Sequence, residues 1–527
     1  MTGGGLLALT KYGAQNVILS GNPEMTYFYK VFKRYTHFSL ESVSQQMDGS
    51  SSFSTDSPVT LSLKVPRVGD LVSDCYFSFQ LPDIYSKFID LANPPPGQQG
   101  RRNQLEFQWV RYIGCAAIQT VGFYIGGRLM QEFTGEYLMT LAQLDQDKDT
   151  FEKWRLLVGD TPDLYDPANS SFAGGSLHSG YPTVVPDYES PGVLRSPQSN
   201  RPSIQGKTIF VPLPFWFTQS VSQSLPLIAL QYHICEIKLT LAPFKQLYTV
   251  LDKNGFRCAH GYQQTAPLTQ VQLNQPEYGA TAGDPTFLRN FLTDINTTVP
   301  DLDIFPIKPT IHFTYVYLPE EEQTIFASSP LTYSMRQYTL FPILNVFNRS
   351  LYQIDIHNTI TRLVFVPRRT DSLPYRNDFA NTTNWYKGIY PAFLPPGGQP
   401  PIYQTTQSSG RLIPQGQPQI IRSLRILSDG IELQEEKSGA YYADVVPFRY
   451  LKGSPNIDLP IYTFELHSPT EQPAGSINSS VIKKFQIDLD LYPLAMNSSY
   501  LYNINVYIES LNWVVIESGM GDLKYAL

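Results

Sequence analysis

The chain has few cysteines and few charged residues for its length. Only four of its 527 residues are cysteine (Cys75, Cys115, Cys235 and Cys258), and the sequence contains no Cys-x-x-Cys pair. This excludes a zinc ribbon, a dithiol redox motif and a disulfide scaffold, and it favours a reducing compartment. Lys and Arg number 39 against 46 for Asp and Glu, so a net charge of −7 argues against a basic protein that coats nucleic acid.

Long apolar runs are missing as well. The sequence has no run of about 18 apolar residues, so we expect no membrane-spanning helix. The first residues, MTGGGLLALTKYGAQ, contain a short apolar stretch at 6–9 without a basic segment before it, and we expect no signal peptide. The chain has instead 13% aromatic residues, 42 prolines and 35 glycines, which favours many turns joined by short strands.

Alternation of apolar and polar residues is the main secondary-structure signal. It runs through residues 61–65, 75–81, 235–241 and 485–491. Such alternation predicts antiparallel strands that place one face on a core, as in β-sandwiches.

Helices are predicted at only two places, near residues 24–37 and 136–158. Strands are predicted again from Ile311, so the polar segment before it is the best candidate for a domain boundary. Loops longer than about 15 residues are usually functional or mobile. The long loops of this chain are predicted at 93–104, 160–206, 252–300 and 371–419.

Two segments of the chain resemble each other. Residues 127–137 read GRLMQEFTGEY and residues 430–441 read GIELQEEKSGAY, with one residue inserted in the second copy. Gly127 and Gly430 are 303 residues apart, which divides the chain into two halves. We interpret this internal echo as a duplicated β-sandwich; chance similarity over eleven residues is the alternative.

Signatures of catalysis are scarce. The seven histidines form no HExxH or HxH motif, and neither GxSxG nor GxxxxGK[ST] occurs. Asp145, Asp147 and Asp149 resemble the opening of a calcium loop, but Thr150 stands where that loop requires glycine. We expect Asp149 to cap a helix instead. The sequence therefore predicts no enzyme, no cofactor and no metal site.

A glutamate in each copy of the echo is the best candidate for sugar chemistry. Glu132 and Glu435 would be the carboxylate pair of a glycosidase. Because they occupy equivalent places in two copies, a structural role at a strand end is the preferred interpretation. A carbohydrate-binding β-sandwich is the less favoured alternative, and it rests on these residues and the aromatic content alone.

A basic and aromatic segment lies near the N-terminus. Lys30, Lys33, Arg34 and His37 would form a basic face on the first predicted helix, which also carries Tyr27. This helix is either a solvated amphipathic helix or a docking arm for an acidic protein or a membrane surface. Sequons of the type Asn-x-Ser/Thr are doubtful glycosylation sites in a chain without a signal peptide. They begin at Asn169, Asn296, Asn348, Asn381, Asn478 and Asn497.

Four blocks of sequence carry a resemblance to a known family. They are KYGAQNVILSGNPEMTYFYKVFKRYTHFSLES at 11–42, VPLPFWFTQSVSQSLPLIALQYHICEIKLTL at 211–241, the segment 423–447, which ends GAYYADVVP, and VIESGMGDLKYAL at 515–527. In this order they closely resemble motifs of the major capsid proteins of nucleocytoplasmic large DNA viruses. The departures are few: Asn16, Ser20 and His37 replace Asp, Thr and Asn of the family pattern, and Asp522 and Lys524 differ near the end.

The resemblance implies an all-β double jelly roll, which is a pair of eight-stranded antiparallel β-sandwiches with a few short helices and long surface loops. It implies an N-terminal arm at 1–40 at the base of the capsomer and a first jelly roll at 41–250. A linker at 251–300 and a second jelly roll at 301–527 follow, the latter with a long loop at 371–419.

The resemblance also implies a function. The chain would be a structural capsid protein in the outer shell of a large icosahedral double-stranded DNA virus, assembled in the host cytoplasm. A homotrimer with pseudo-hexameric outline would contact neighbouring capsomers, with minor capsid proteins and the inner membrane on its inner face, next to residues 27–37, and no direct contact to nucleic acid. Loops 160–206 and 371–419 would project outward. A divergent paralogue or minor capsid subunit of the same fold is the alternative.

Overall fold

Alternating apolar residues build a first β-sandwich, sandwich 1. In the computed structural model, Ile237 and Leu239 of one strand are fully buried, while Glu236 and Lys238 between them remain partly exposed. Seven further strands complete this sandwich. In chain order the strands are β1 Ser39–Gln46, β2 Val59–Lys64, β3 Leu71–Gln80, β4 Ile118–Ile125, β5 Arg128–Thr134, β6 Thr208–Pro212, β7 Cys235–Leu241 and β8 Thr310–Tyr317.

The second half of the chain forms sandwich 2 from eight more strands. These are β9 Leu331–Val346, β10 Ser350–Ile354, β11 Thr359–Arg369, β12 Ile421–Ser428, β13 Ile431–Ser438, β14 Ile461–Thr463, β15 Phe485–Leu491 and β16 Tyr502–Glu517. The predicted all-β double jelly roll is confirmed.

The two sandwiches have the same strand order. The sheets of sandwich 1 run β1-β8-β3-β6 and β2-β7-β4-β5, and those of sandwich 2 run β9-β16-β11-β14 and β10-β15-β12-β13. All neighbouring strands are antiparallel. Each strand of sandwich 1 therefore has a counterpart in sandwich 2 whose label is higher by eight.

The predicted division at residue 300 places one strand in the wrong sandwich. Strand β8 falls in the range 301–527 that was predicted for the second jelly roll, but it pairs with β1 and β3 of sandwich 1. The eighth strand of a jelly roll fills the gap between its first and third strands, so the chain must return to sandwich 1 after the long segment at 251–300. Sandwich 2 begins after Tyr317.

Helices occur mainly between strands. They are α1 Gly4–Thr10, α2 Val17–Ser20, α3 Ile113–Ala116, α4 Gly135–Asp145, α5 Lys148–Leu157, α6 Pro162–Tyr165, α7 Glu320–Ser328, the π-helix Tyr441–Val445 and α8 Val446–Tyr450. Single 3₁₀ turns lie at Trp216–Thr218, Val221–Gln223, Phe244–Gln246, Leu288–Phe291 and Ser479–Val481.

Two of the helix predictions are corrected. The helix predicted at 136–158 is two helices, α4 and α5, and the Thr150 amide donates to Asp147 Oδ1 at 2.8 Å. Asp147, not Asp149, therefore caps α5, and Asp149 lies in its first turn. The helix predicted near 24–37 is wrong, because residues 21–38, apart from Val31, form neither helix nor strand in the described chain.

Further short strands accompany the sixteen strands named above, and three of them, Leu225–Pro226, Ile477–Asn478 and Met520–Leu523, pair with β3, β11 and β16. The short strands are Phe88–Asp90, Arg101–Asn103, Glu106–Trp109, Tyr188–Ser190, Val193–Leu194, Leu225–Pro226, Tyr248–Leu251, Arg257–Cys258, Tyr262–Gln264, Ala280–Ala282, Tyr386–Lys387, Leu412–Ile413, Ile477–Asn478 and Met520–Leu523. The last of these pairs with β16 and forms the C-terminal hairpin.

The structure describes the chain with internal gaps. The residues left out are 1–2, 12, 15–16, 31, 86–87, 91–100, 104–105, 166–187, 191–192, 195–201, 203, 252–256, 259, 261, 265–279, 283–285, 294–303, 375, 388–411, 414–416, 456–457, 468–471, 495–497 and 526–527. Most of the predicted linker and of the two loops expected to project outward falls in these gaps.

The internal echo is a repeated hairpin. In each copy a glycine with φ of +83° closes the turn, Gly127 between β4 and β5 and Gly430 between β12 and β13. A second glycine follows each hairpin. A Cβ on Gly135 would lie 2.0 Å from the Cys115 carbonyl oxygen, and a Cβ on Gly439 would lie 2.1 Å from that of Ile421. The same close approach of backbone in both halves supports the duplication.

Candidate assembly surfaces

Helix α4 lies against sandwich 2 through buried ion pairs. The Arg362 guanidinium on β11 is fully buried and donates to Asp145 Oδ1 on α4 at 2.6 Å and to Glu509 Oε1 on β16 at 2.8 Å. The Tyr137 hydroxyl on α4 donates to Glu509 Oε1 at 2.9 Å. Burial alone would raise the pKa of Glu509, but Arg362 beside it holds that pKa below its ordinary value. Glu509 therefore stays ionised beside the guanidinium, which also contacts Asp145.

The first turn of α4 makes a second polar contact with sandwich 2. Glu136 accepts from Arg368 Nε at 2.7 Å, from Asn505 Nδ2 at 2.6 Å and from the Tyr507 hydroxyl at 2.6 Å. Charge-assisted hydrogen bonds of this kind are stronger than neutral ones and have a defined geometry. The helix is therefore held at both ends on the outer face of the sheet β9-β16-β11-β14.

Edge strands of the two sandwiches also meet. Gln131 Nε2 on β5 donates to the Arg336 carbonyl on β9 at 2.7 Å, and Gln337 Nε2 on β9 donates to the Met130 carbonyl at 2.6 Å. These side chains satisfy backbone groups that an edge strand leaves unpaired. The apolar core of sandwich 1 continues through this contact and includes Tyr333 and Tyr507 of sandwich 2.

The C-terminal hairpin fastens the sandwiches at another place. The Tyr232 amide donates to the Gly519 carbonyl at 3.0 Å, and Asp522 forms an ion pair with Arg128 at 2.5 Å. Two of the four sequence blocks, 211–241 and 515–527, thus touch each other. Asp522, a departure from the family pattern, has a partner in sandwich 1.

A cavity of about 740 Å³ lies where α4 and α5 approach sandwich 2. Aromatic, amide and charged side chains line it, among them Trp154, Trp216, Gln146, Arg336 and Lys452.

Within the described chain, no group of His, Cys, Asp and Glu residues could hold a metal ion. The same residues contain no helix that is long and apolar enough to cross a membrane.

The predicted docking residues lie on an exposed segment. Tyr27, Lys30, Lys33, Arg34 and His37 are all exposed. The segment also carries apolar side chains that are 55% to 98% exposed, and these are Met25, Phe28, Tyr29, Phe32, Tyr35 and Phe38. Exposed apolar segments of this size are typical of interaction sites, so the segment stays a candidate for one.

Two strands at the rims of the sandwiches are exposed along nearly their whole length. In β1 and in β13, no residue is buried. Their counterparts differ: β5, the counterpart of β13, buries Met130, Gln131 and Phe133, and β9, the counterpart of β1, buries residues of its first half. Among the described residues, β1 on sandwich 1 and β13 on sandwich 2 are therefore edge strands that bury no side chain.

Three of the six sequons lie in the described chain. Asn348 and Asn478 are exposed, and Asn478 caps a 3₁₀ turn. Asn381 is only 5% exposed and donates to the Trp385 carbonyl at 2.7 Å, so its amide nitrogen is engaged inside the fold. The remaining sequons, at Asn169, Asn296 and Asn497, begin outside the described residues.

The two candidate glutamates lie on different sandwiches. Glu132 is on β5 and Glu435 is on β13. Partial burial raises the pKa of Glu132, whereas the ion pair with Lys437 lowers the pKa of Glu435. Because they occupy equivalent places on two separate sandwiches, a structural role stays the preferred interpretation.

The buried network around Arg362 was missed by sequence reasoning. Its members come from three separate stretches of chain, with Asp145 and Arg362 217 residues apart and Arg362 and Glu509 147 residues apart. The echo was the only available signal, because it marks where α4 begins.

Comparison with known proteins identifies the family. A family described as "Major capsid protein N-terminus" matches residues 26–273, and one described as "Large eukaryotic DNA virus major capsid protein" matches residues 322–522. The major capsid protein of Chrysochromulina ericina virus is 25% identical, over 99% of this chain and 100% of its own. Probable capsid protein 4 of Acanthamoeba polyphaga mimivirus is 24% identical, over 99% of both chains.

Solved structures show the same fold. The VP54 protein of PBCV-1 superposes with a TM-score of 0.63 at 19% identity, covering 95% of this chain and 100% of its own. The Faustovirus major capsid protein gives a TM-score of 0.62 at 14% identity, covering 96% and 94%. The relatives are structural capsid proteins rather than enzymes. Two sandwiches of one strand order, family matches in both halves and relatives that align from end to end agree: the chain belongs to the family of major capsid proteins of large eukaryotic DNA viruses.

Proposed function

We propose that this chain is the building block of the outer shell of a large icosahedral double-stranded DNA virus, and that three copies form one capsomer. The observation that carries the proposal is the repeat of one eight-stranded sandwich, in one strand order, within a single chain. Three chains then supply six similar units in a ring, which gives a threefold assembly a pseudo-hexameric outline. Such an outline tiles a flat facet.

The mechanism of this function is assembly. Interfaces inside an obligate oligomer commonly bury more than about 2,000 Å² and are apolar. Contacts between capsomers are expected to be smaller and more polar, so that many weak interactions add up while misplaced capsomers still dissociate. The assembled protein resides in the virion shell, after synthesis and assembly in the host cytoplasm.

Native mass tests the proposal. Purified full-length chain of 59.6 kDa should elute as a species of about 179 kDa, three times the chain mass, in size-exclusion chromatography with light scattering. Electron microscopy of that species should show a ring with six lobes. A monomer that stays monomeric at high concentration contradicts a self-sufficient capsomer.

The exposed segment at 21–38 is the part of the proposal that concerns the inner face of the shell. Its cations and aromatic rings suit minor capsid proteins beneath the capsomer and, beyond them, an inner membrane. In infected cells, a tagged chain with Lys30→Glu, Lys33→Glu and Arg34→Glu should still trimerise but should be depleted from purified particles. Incorporation equal to the unsubstituted tagged chain would contradict this role.

A second candidate is a paralogous or minor subunit of the same fold. It is favoured by one relative, since probable capsid protein 4 of the mimivirus aligns over 99% of both chains. Quantitative mass spectrometry of purified particles separates the two candidates. A major subunit should be the most abundant protein of the shell, whereas a minor one should be present in few copies.

A further inference from the structure

The element that joins the two sandwiches is present twice, but only one copy is covered. In sandwich 1, strand β5 and helix α4 pack on sandwich 2. The equivalent element of sandwich 2, β13 followed by the π-helix and α8, is open in the described chain. Met130 and Leu144 are 0% and 1% exposed, whereas Leu433 and Phe448, at the same distances from the equivalent glycines, are 40% and 90% exposed.

The surface that receives α4 is also present twice. On sandwich 2 it is the outer face of β9-β16-β11-β14. Beside a bulge in this sheet, Arg362 pairs with Glu509. On sandwich 1 the corresponding bulge lies between β3 and β8, and Asp74 pairs there with Thr314. The register on both sides of the bulge therefore puts Asp74 at the position of Arg362.

The charges at these equivalent positions are reversed. Asp145 stands ten residues after Gly135, and Arg449 stands ten residues after Gly439. The ion pair inside the chain joins an arginine on the sheet to an aspartate on the helix. Its counterparts are an aspartate on the sheet, Asp74, and an arginine on the helix, Arg449.

Neither counterpart has an ion-pair partner among the described residues. Asp74 is half-buried on the outer face of its sheet, and this burial raises its pKa. Arg449 is exposed on α8, over the ring of Tyr450. A carboxylate and a guanidinium that have no ion-pair partner in the described chain, at positions where the duplicated element has an ion pair, are complementary to each other.

From this we infer that the helix α8 and strand β13 of one copy dock on the outer face of β1-β8-β3-β6 of a second copy, with Arg449 pairing with Asp74 of that copy. The inference rests on the proposed capsomer and adds its contact surface. A contact that joins sandwich 2 of one chain to sandwich 1 of the next is head-to-tail, and such contacts close into a ring when the rotation permits.

The rim strands fit the same arrangement. Gln434 corresponds to Gln131, since Gln434 follows Gly430 and Gln131 follows Gly127 by four residues each. Leu40 on β1 corresponds to Arg336 on β9, because Leu40 pairs with Val316 and Arg336 pairs with Leu511. Val316 and Leu511 are equivalent, since each lies two residues after the bulge positions Thr314 and Glu509. The Gln434 amide would then donate to the Leu40 carbonyl and satisfy the exposed rim of β1.

Charge reversal in the full-length chain tests the inference. Asp74→Arg and Arg449→Asp are made separately and together, and the fraction of trimer is followed by light scattering over a dilution series. Each single substitution should raise the concentration at which the trimer dissociates at least about tenfold, because it places like charges together in the contact. The double substitution should restore most of the loss.

A matched control and two further outcomes make the test decisive. Asp355→Arg changes an exposed aspartate beyond the end of β10, at the edge of its sheet opposite to β13, and should leave the trimer unchanged. Single variants as trimeric as the unmodified chain, or a double variant no better than the singles, overturn this contact while the capsomer stands. An unmodified chain that is monomeric overturns the capsomer itself. Equal thermal unfolding of all variants excludes a folding defect as the cause.

Discussion

The same helical element is enclosed in sandwich 1 and open in sandwich 2. Eight residues of α4 are buried, whereas the π-helix and α8 together bury four, namely Tyr442, Ala443, Val446 and Pro447. Both sandwiches nevertheless have the same strand order. The contact between α4 and the neighbouring sandwich is therefore not needed for a sandwich to form. Its role is to fix how one sandwich lies against the next.

The chemistry of the covered contact agrees with this role. Buried ion pairs contribute little net stability, because desolvation offsets most of their attraction, but a broken pair leaves an uncompensated charge. Arg362, Asp145 and Glu509 therefore disfavour any arrangement of the sandwiches in which they fail to meet. An apolar contact alone would allow the sandwiches to slide.

The largest difference between the two copies is expected at Arg362 and its counterpart. Arg362→Met leaves Asp145 and Glu509 without their shared cation and should lower the free energy of unfolding by about 3–5 kcal/mol. Asp74→Asn removes a half-buried charge that has no ion-pair partner among the described residues, so it should leave the stability of the isolated chain nearly unchanged. Guanidinium denaturation followed by circular dichroism measures both.

The outcome at these two positions also tests the comparison itself. Both variants should be measured at a concentration where the chain is monomeric, so that contacts between copies do not contribute. Equal losses for Arg362→Met and Asp74→Asn would mean that the two positions are equally engaged within one chain. The difference between a covered and an open copy would then be false.

Glycine substitutions should affect the two copies equally. Gly135→Ala and Gly439→Ala each bring a methyl group to about 2 Å from a backbone carbonyl oxygen. Each should destabilise the chain by about 1–3 kcal/mol, the usual cost of overpacking. Gly13→Ala, where no atom lies within 4 Å of the added Cβ, is the control and should be neutral. A tolerated Gly439→Ala would mean that the close approach is not a shared feature of the duplication.

The features of the fold that the sequence predicts are those that depend on residues close together in the chain. The echo at Gly127 and Gly430 located the repeated hairpin and the start of the helix after it, since turn glycines and strand alternation are local features. The division at residue 300 failed because the pairing of β8 with β1 joins residues about 270 positions apart. The sequence of a strand does not indicate which distant strand it pairs with.

The errors at the N-terminal segment and at α5 have simpler physical causes. Residues 24–37 have the periodicity of an amphipathic helix, but a short helix needs a surface on which to bury its apolar face. No such surface covers them within the described chain. At α5, Asp147 and Asp149 are both good capping residues, and only the end of α4 at Asp145 decides between them.

The smallest expected effect concerns a carboxylate pair on the open side of sandwich 2. Burial, and secondarily the charge of Asp444, raises the pKa of Asp458 to about 6. Asp444 follows Gly439 by five residues, as Thr140 follows Gly135, and Thr140 donates its hydroxyl to the Glu136 carbonyl at 2.8 Å. The open copy thus has a charge where the covered copy has a neutral hydrogen bond.

The raised pKa of Asp458 predicts a distinctive dependence of stability on pH. At pH 7 Asp458 is ionised in both folded and unfolded chains, and the folded chain bears the cost of the buried charge. As the pH falls from about 6 towards the unfolded value of about 3.9, the folded chain protonates first and this group adds stability. Asp458→Asn should therefore raise the free energy of unfolding at pH 7 by about 1–2 kcal/mol and should reduce the gain on going to pH 5. Denaturation midpoints of the monomeric chain at both pH values measure this, with Asp355→Asn as the exposed control. If Asp458→Asn and Asp355→Asn change stability alike, the buried charge of Asp458 has no measurable cost. The two copies would then differ only in whether the helix packs on a neighbouring sandwich.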